Sequence, residues 1–210
     1  PHALGAYDME QDRYRFILDT SRFNAVWYSF PALSENKMFM STAAYRGQYW
    51  RLSYYAFDRE TGEELWSYTE ESTFGERVRR NSEELFRKNL QLLDYMAPVV
   101  WRDLVIYTSG DSVVRAFDQD SGNLAWRRRF AYATSSAPIV SGDRLYFGLY
   151  GDPNAVDGNP PRLVSLSAAN GRKQWEMDLE GALLSAPVIA GEWLVFGTDQ
   201  NIFYVLEELY

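Results

Sequence analysis

Cysteine is absent from all 210 residues, and histidine occurs once, as His2. Without thiols there is no disulfide framework, no thiolate metal site and no cysteine nucleophile. A single histidine beside the N-terminus assembles neither a Ser-His-Asp triad nor a histidine-based metal site, and His2 reads as a bland terminal residue. No apolar run approaches the ~20 residues of a membrane helix. No basic segment followed by an apolar one opens the chain in the manner of an export signal. The first residues are Pro1-His2, with no methionine, which reads as a processed or excised form. Cations are in deficit too. A formal charge of -8 and a pI near 4.8 argue against an extended nucleic-acid footprint, which needs a basic face.

Aromatic residues, by contrast, make up 16% of the chain. Tyr, Trp, Phe and Val in this abundance favour strands and are incompatible with a disordered chain. The expected fold is therefore globular and all-β, a single unit over residues 1–210.

Its architecture follows from two phrases that recur in alternation. The first reads AFDRETGEELW (Ala56 to Trp66), AFDQDSGNLAW (Ala116 to Trp126) and SLSAANGRKQW (Ser165 to Trp175), each with Gly four residues before Trp. The second is Ala97-Pro98-Val99, then SSAPIVSGDRLYFG from Ser135 and LSAPVIAGEWLVFG from Leu184. Weaker copies stand near the N-terminus, AYDMEQDRYRF (Ala6 to Phe16) and SFPALSENKMFMS from Ser29. Repeats at such periods signal stacked or propeller architectures. Each unit reads as four short strands: in the unit that begins at Ala137 these are 137–140, 144–150, 162–166 and 173–179. The runs LVIY (104–107), LYFG (145–148) and WLVFG (193–197) do not alternate, which predicts strands covered on both faces. Asp58 and Asp118 are placed to bond the amides of a tight turn. Gly62, Gly122 and Gly171 supply the positive φ of a hairpin loop or its bulge. Trp66, Trp126 and Trp175 lie in the following strands, large enough to reach a neighbouring sheet.

A small residue, an aromatic, Asp, three variable residues, Gly and then Trp, alternating with Ser-Ala-Pro-Val and a Gly-Asp turn, resembles the PQQ-like (pyrroloquinoline quinone-type) β-propeller repeat. That repeat occurs in quinoprotein dehydrogenases and in non-catalytic BamB-like outer-membrane assembly lipoproteins. The resemblance implies a β-propeller of four-stranded antiparallel blades. About four blades are present, making a closed small ring, half of a larger ring completed by a homodimer or second chain, or an excised part of a longer propeller. Residues 8–18 read as a strand that completes the last blade.

The insertion at residues 69–95 interrupts the repeat. Asn81 as a cap, Glu84 three residues later, and Leu85, Phe86, Leu90 and Leu93 on one side predict an amphipathic helix. Its apolar face either packs on the propeller or meets a partner. Arg79, Arg80 and Arg87 make the segment basic, and Arg127 and Arg129 form a second basic run. These arginines either blunt a sheet edge or dock an acidic partner. In GDPNAVDGNP (151–160), Asp152, Asn154 and Asp157 offer oxygen ligands, but the spacing fails the calcium-loop pattern, so a polar hairpin loop is the better reading. The carboxylate pairs Glu63-Glu64, Glu70-Glu71 and Glu83-Glu84 read as solvated surface.

The resemblance implies two functional classes. Quinoprotein dehydrogenases hold their cofactor with a vicinal Cys pair, calcium ligands and a catalytic Asp. No motif here carries those roles, so no catalytic residue, cofactor or metal is assigned. The BamB-like proteins imply a non-enzymatic scaffold for protein partners in the periplasm or another extracytoplasmic space. A dehydrogenase fragment and a ligand-sensing extracytoplasmic domain stand as the alternatives.

Overall fold

The computed structural model describes residues 3–25, 27–46, 49–72, 96–152 and 158–207. The chain begins with a hairpin of β1 (Ala3–Asp8) and β2 (Arg13–Asp19), followed by a 3-10 turn at Thr20–Phe23. That turn is the one helical element among the described residues.

Four antiparallel sheets come next. The first is built from β3 (Trp27–Tyr28) and β4 (Ala32–Leu33), both on β5 (Lys37–Tyr45), then β6 (Trp50–Asp58) and β7 (Glu64–Ser72). The second runs β8 (Val99–Trp101), β9 (Leu104–Tyr107), β10 (Val113–Asp118), β11 (Leu124–Arg129). The third runs β12 (Ile139–Ser141), β13 (Arg144–Leu149), β14 (Arg162–Ser167), β15 (Lys173–Asp178). The fourth has three described strands, β16 (Val188–Ala190), β17 (Trp193–Gly197) and β18 (Phe203–Glu207). This is the all-β, propeller-type fold that the repeats imply.

The turns explain the first phrase. Asp8, Asp58 and Asp118 each accept hydrogen bonds from two backbone amides two and three residues on, at 2.7 to 3.2 Å. Gly62, Gly122 and Gly171 have φ of 73°, 70° and 68°, and each follows a register shift that marks a bulge. In the weak copy Asp12 takes the same left-handed conformation, φ 52°. Its carboxyl accepts from the Tyr7 hydroxyl.

These carboxylates titrate with a consequence. Hydrogen bonds from Ser121 hold the Asp118 carboxyl below its ordinary value of 3.8. A depressed folded pKa stabilises above the unfolded value and loses that contribution as pH falls through the folded one. Asp118→Ala should therefore lower unfolding stability at neutral pH by about 1 kcal/mol, as for a lost capping carboxylate. The gap from the parent chain should close when urea titrations are repeated below the carboxylate range.

The sheets stack face to face in chain order. Phe39, Tyr54, Ala56 and Trp66 of the first meet Val105, Tyr107 and Phe117 of the second. Ile106, Val114 and Ala116 of the second meet Phe147, Val164 and Leu166 of the third. Tyr146 and Leu163 of the third meet Leu194 and Phe196 of the fourth. The second and third sheets thus each have a forward face on a successor and a rear face on a predecessor. The runs at 104–107 and 145–148 are accordingly buried on both sides.

Three expectations need correction. The run at 193–197 is covered on one side only: Leu194 and Phe196 are buried while Trp193 is exposed, because no described strand lies on the forward face of β17. Residues 8–18 do not complete the fourth sheet. β2 pairs with β1, and Phe16 and Leu18 pack on Met38, Met40, Tyr55 and Phe57, so the hairpin is a unit stacked before the first sheet. Residues 69–72, expected in the insertion, belong to β7, whose pairing with β6 continues to Trp50↔Ser72. The rest of the insertion, with its expected helix, lies outside the described residues.

Candidate functional site

The end of β7 at Ser72, the loop that enters β10 and the residues just after β11 meet at the strand ends away from the Gly turns, where the Ser72 hydroxyl donates to Asp111. Here the backbone amide of Phe130 donates to the Ser112 carbonyl at 2.8 Å. Leu179 closes a similar bridge to Pro161 at 2.7 Å on the third sheet.

At the centre of this side sits a buried ion network. Arg115, on β10, is 3% exposed, and its guanidinium forks onto Asp111, Nη1 to Oδ1 at 2.9 Å and Nη2 to Oδ2 at 2.6 Å. It also donates to Glu70 of β7, tying the second sheet to the first. Asp111 takes further bonds from the Ser72 hydroxyl at 2.7 Å and the Val113 amide at 3.1 Å. Below the guanidinium lies the Tyr54 ring, its centroid 5.7 Å from Cζ. Burial pushes the Tyr54 hydroxyl well above the usual phenol range, so a neutral aromatic face meets the cation. Burial alone would lower the Arg115 pKa, but its surroundings outweigh that, and the bonded Asp111 and Glu70 carboxylates hold the group above its ordinary value.

Glu70 therefore does not belong to the solvated surface where the sequence reading put it. The alternation of β7 carries the missed signal, since Trp66, Tyr68 and Glu70 share one side of the strand and the first two are plainly inward. Arg115 sits inside the apolar run VVRAF, and a charge there is buried with a partner or not at all.

The other candidates scatter. Arg127 and Arg129 lie exposed on β11, which is the outermost strand of its sheet. Arg127 reaches Glu70 at 3.8 Å with a 63% exposed side chain. Arg128 turns inward, donating to the Gly171 carbonyl at 3.2 Å. Asp152 pairs by backbone with Asn159 at 2.8 Å, whereas Asn154 and Asp157 lie outside the described residues, as do Arg79, Arg80 and Arg87. Among the described residues no group of acidic or histidine side chains is arranged to hold a metal.

Next to the network, at the seam of the first two sheets, is a cavity of about 10 Å³ lined by Ser41, Thr42, Tyr54, Met96, Thr108 and Ser109. That is room for one water, with hydroxyls to bind it. Thr108 and Thr134 are already committed, donating to the Ser136 and Ser109 carbonyls at 3.0 and 2.8 Å.

The repeat motif residues act between sheets. The Trp66 indole donates to the Gln119 carbonyl and the Trp126 indole to the Ala168 carbonyl, both at 2.9 Å, each in the turn of the following sheet. Beneath each indole is that turn's glycine: a Cβ on Gly122 would stand 2.6 Å from Trp66, and one on Gly171 the same distance from Trp126. Phe16 covers Gly62 in the same way. The Trp175 ring, one sheet on, lies 5.8 Å from that of Tyr146.

Comparison with known sequences gives the assignment. A profile described as outer membrane protein assembly factor BamB matches residues 31–159 and 110–209. The chain belongs to the BamB family of PQQ-like repeat proteins. No curated protein matches it. Among solved structures it is similar to BamB from Moraxella catarrhalis, with a TM-score of 0.59 and 14% identity, over 98% of this chain and 55% of that one. A computationally designed protein, Ika4, matches with a TM-score of 0.54 and 13% identity over 87% of this chain and 90% of its own. A quinohemoprotein alcohol dehydrogenase from Pseudomonas putida HK5 matches with a TM-score of 0.56 and 14% identity over 88% and 34%. The chain thus spans about half the length of the Moraxella BamB. At these identities the structural likenesses describe the fold, which BamB proteins share with the dehydrogenase.

Proposed function

We propose that this chain is a non-enzymatic propeller scaffold that binds protein partners in an extracytoplasmic space, in envelope assembly of the BamB type. The observation that carries this reading is the internal pairing of the loop-side charges. Arg115, Asp111 and Glu70 satisfy one another in the seam between two sheets, which makes them a clamp rather than a reaction centre. Arg127 and Arg129 are among the cations presented outward, alternate residues on an outermost strand of an acidic protein. They offer an acidic partner a docking edge while discouraging strand pairing between like copies. The experiment is retention from envelope extract. Immobilised chain should retain a discrete partner, and the Arg127→Glu/Arg129→Glu variant should retain at least about tenfold less, the scale of one or two lost ionic contacts. Equal retention by parent and variant refutes the docking edge.

A second reading, a piece of a quinoprotein dehydrogenase, is favoured by the structural likeness to the Pseudomonas enzyme. Pyrroloquinoline quinone with calcium separates the two. A ligand present at 100 times its Kd adds about 2.7 kcal/mol, or about 5–10 °C in Tm for a domain of this size. For a scaffold the expected shift is zero within error, measured by thermal unfolding with and without the pair.

A further inference from the structure

The forward face of the fourth sheet is built like an interior surface and left open. Val188, Phe203 and Val205 are 60%, 69% and 53% exposed. Val195 lies directly between Val188 and Val205 across the three strands, and Trp193 and Phe203 flank this row. The repeat puts Ile139, Tyr146, Leu163 and Ser165 at the corresponding places in the third sheet, and the last three are buried against the fourth. In the second sheet the equivalent Ile106, Val114 and Ala116 are fully buried. The same surface is thus covered by a successor wherever one stands.

At the opposite end of the stack the situation is mirrored. Phe57, Phe117 and Leu166 lie on the rear faces of their sheets, each fully buried by the unit before it. Tyr7 occupies that position in the N-terminal hairpin and is exposed, as are Tyr14 and Ile17 on the same side. The Tyr7 and Tyr14 rings pack edge to face at 5.0 Å, forming a ready aromatic surface.

One chain therefore presents both halves of an interface that it forms four times internally, between the hairpin and the first sheet and between each later pair of sheets. We propose that a second copy of this chain docks head to tail, with the forward face around Phe203 and Val205 of each copy seated on the hairpin rear face around Tyr7 and Ile17 of the other. Clustered exposed apolar side chains mark association surfaces, and a heterologous contact of this kind closes into a ring or propagates. Self-association is compatible with either functional reading above, and its test involves no envelope partner.

The test is the mass of the 210-residue chain in solution by sedimentation across a wide concentration range, with near-UV circular dichroism to confirm folding. The parent should approach twice the chain mass or higher. Phe203→Asp and Ile17→Asp should each weaken association by at least about tenfold, the effect of a charge buried at an apolar contact. Mixing the two variants should restore an intermediate association, because one intact face of each kind remains. A folded monomer at every concentration overturns the proposal. An Ile17→Asp variant that associates like the parent also overturns it, by showing that like faces pair.

Discussion

Gly122→Val should lower Tm by about 4–24 °C. Two costs combine in it. At φ 70° a side chain with a branched Cβ sits in the left-handed region, costing about 1–3 kcal/mol. The added carbon would also stand 2.6 to 2.8 Å from three atoms of the Trp66 ring, a rigid group held by its own bond to the Gln119 carbonyl. Overpacking of that sort costs about 1–3 kcal/mol more, and each kcal/mol moves the Tm of a domain this size by about 2–4 °C. Gly142→Val separates the two contributions. Gly142 also has positive φ, 54°, but a Cβ there would meet nothing within 4 Å, so only the backbone cost should register. Thermal unfolding of both variants decides the matter: equal losses would mean that Trp66 yields.

Arg115→Leu is expected to destabilise by about 3–5 kcal/mol, because it leaves the Asp111 and Glu70 carboxylates facing one another with the cation gone. Replacing all three, as Arg115→Leu/Asp111→Asn/Glu70→Gln, should recover much of that loss, since removing a buried ion cluster whole is far cheaper than breaking it. Urea midpoints for the single and triple variants measure this. A single variant within about 1 kcal/mol of the parent would show that the network contributes no more than an exposed ion pair.

The turn chemistry was legible in the sequence because it is local. An Asp whose carboxylate reaches two amides and a Gly with positive φ are written within a few residues of each other, and Asp58 to Gly62 and Asp118 to Gly122 carry both in the structure. Sheet boundaries followed closely, as in β13 at 144–149 against the expected 144–150. What the sequence left open was long range. Whether Arg13 to Asp19 extends a sheet sideways or stacks in front of one depends on Phe16 finding Gly62, 46 positions away, and alternation along β2 is the same in both cases. The ion network was hidden for a similar reason. Glu70 and Arg115 come from different sheets, and adjacency to Glu71 disguised Glu70 as surface although its strand faces inward with Trp66 and Tyr68.

The indole-to-carbonyl bonds of Trp66 and Trp126 point one way along the chain. A sheet's tryptophan is anchored by residues that a ribosome has not yet made when the sheet itself is complete. While the chain is being made, the first and second sheets each keep an unbonded indole until the turn of the next sheet exists, 53 residues after Trp66 and 42 after Trp126. The energetic module is offset from the hydrogen-bonded one. A unit transplanted into another repeat protein should be cut so that a Trp travels with the Gly turn that follows it, even though those two residues lie in different sheets.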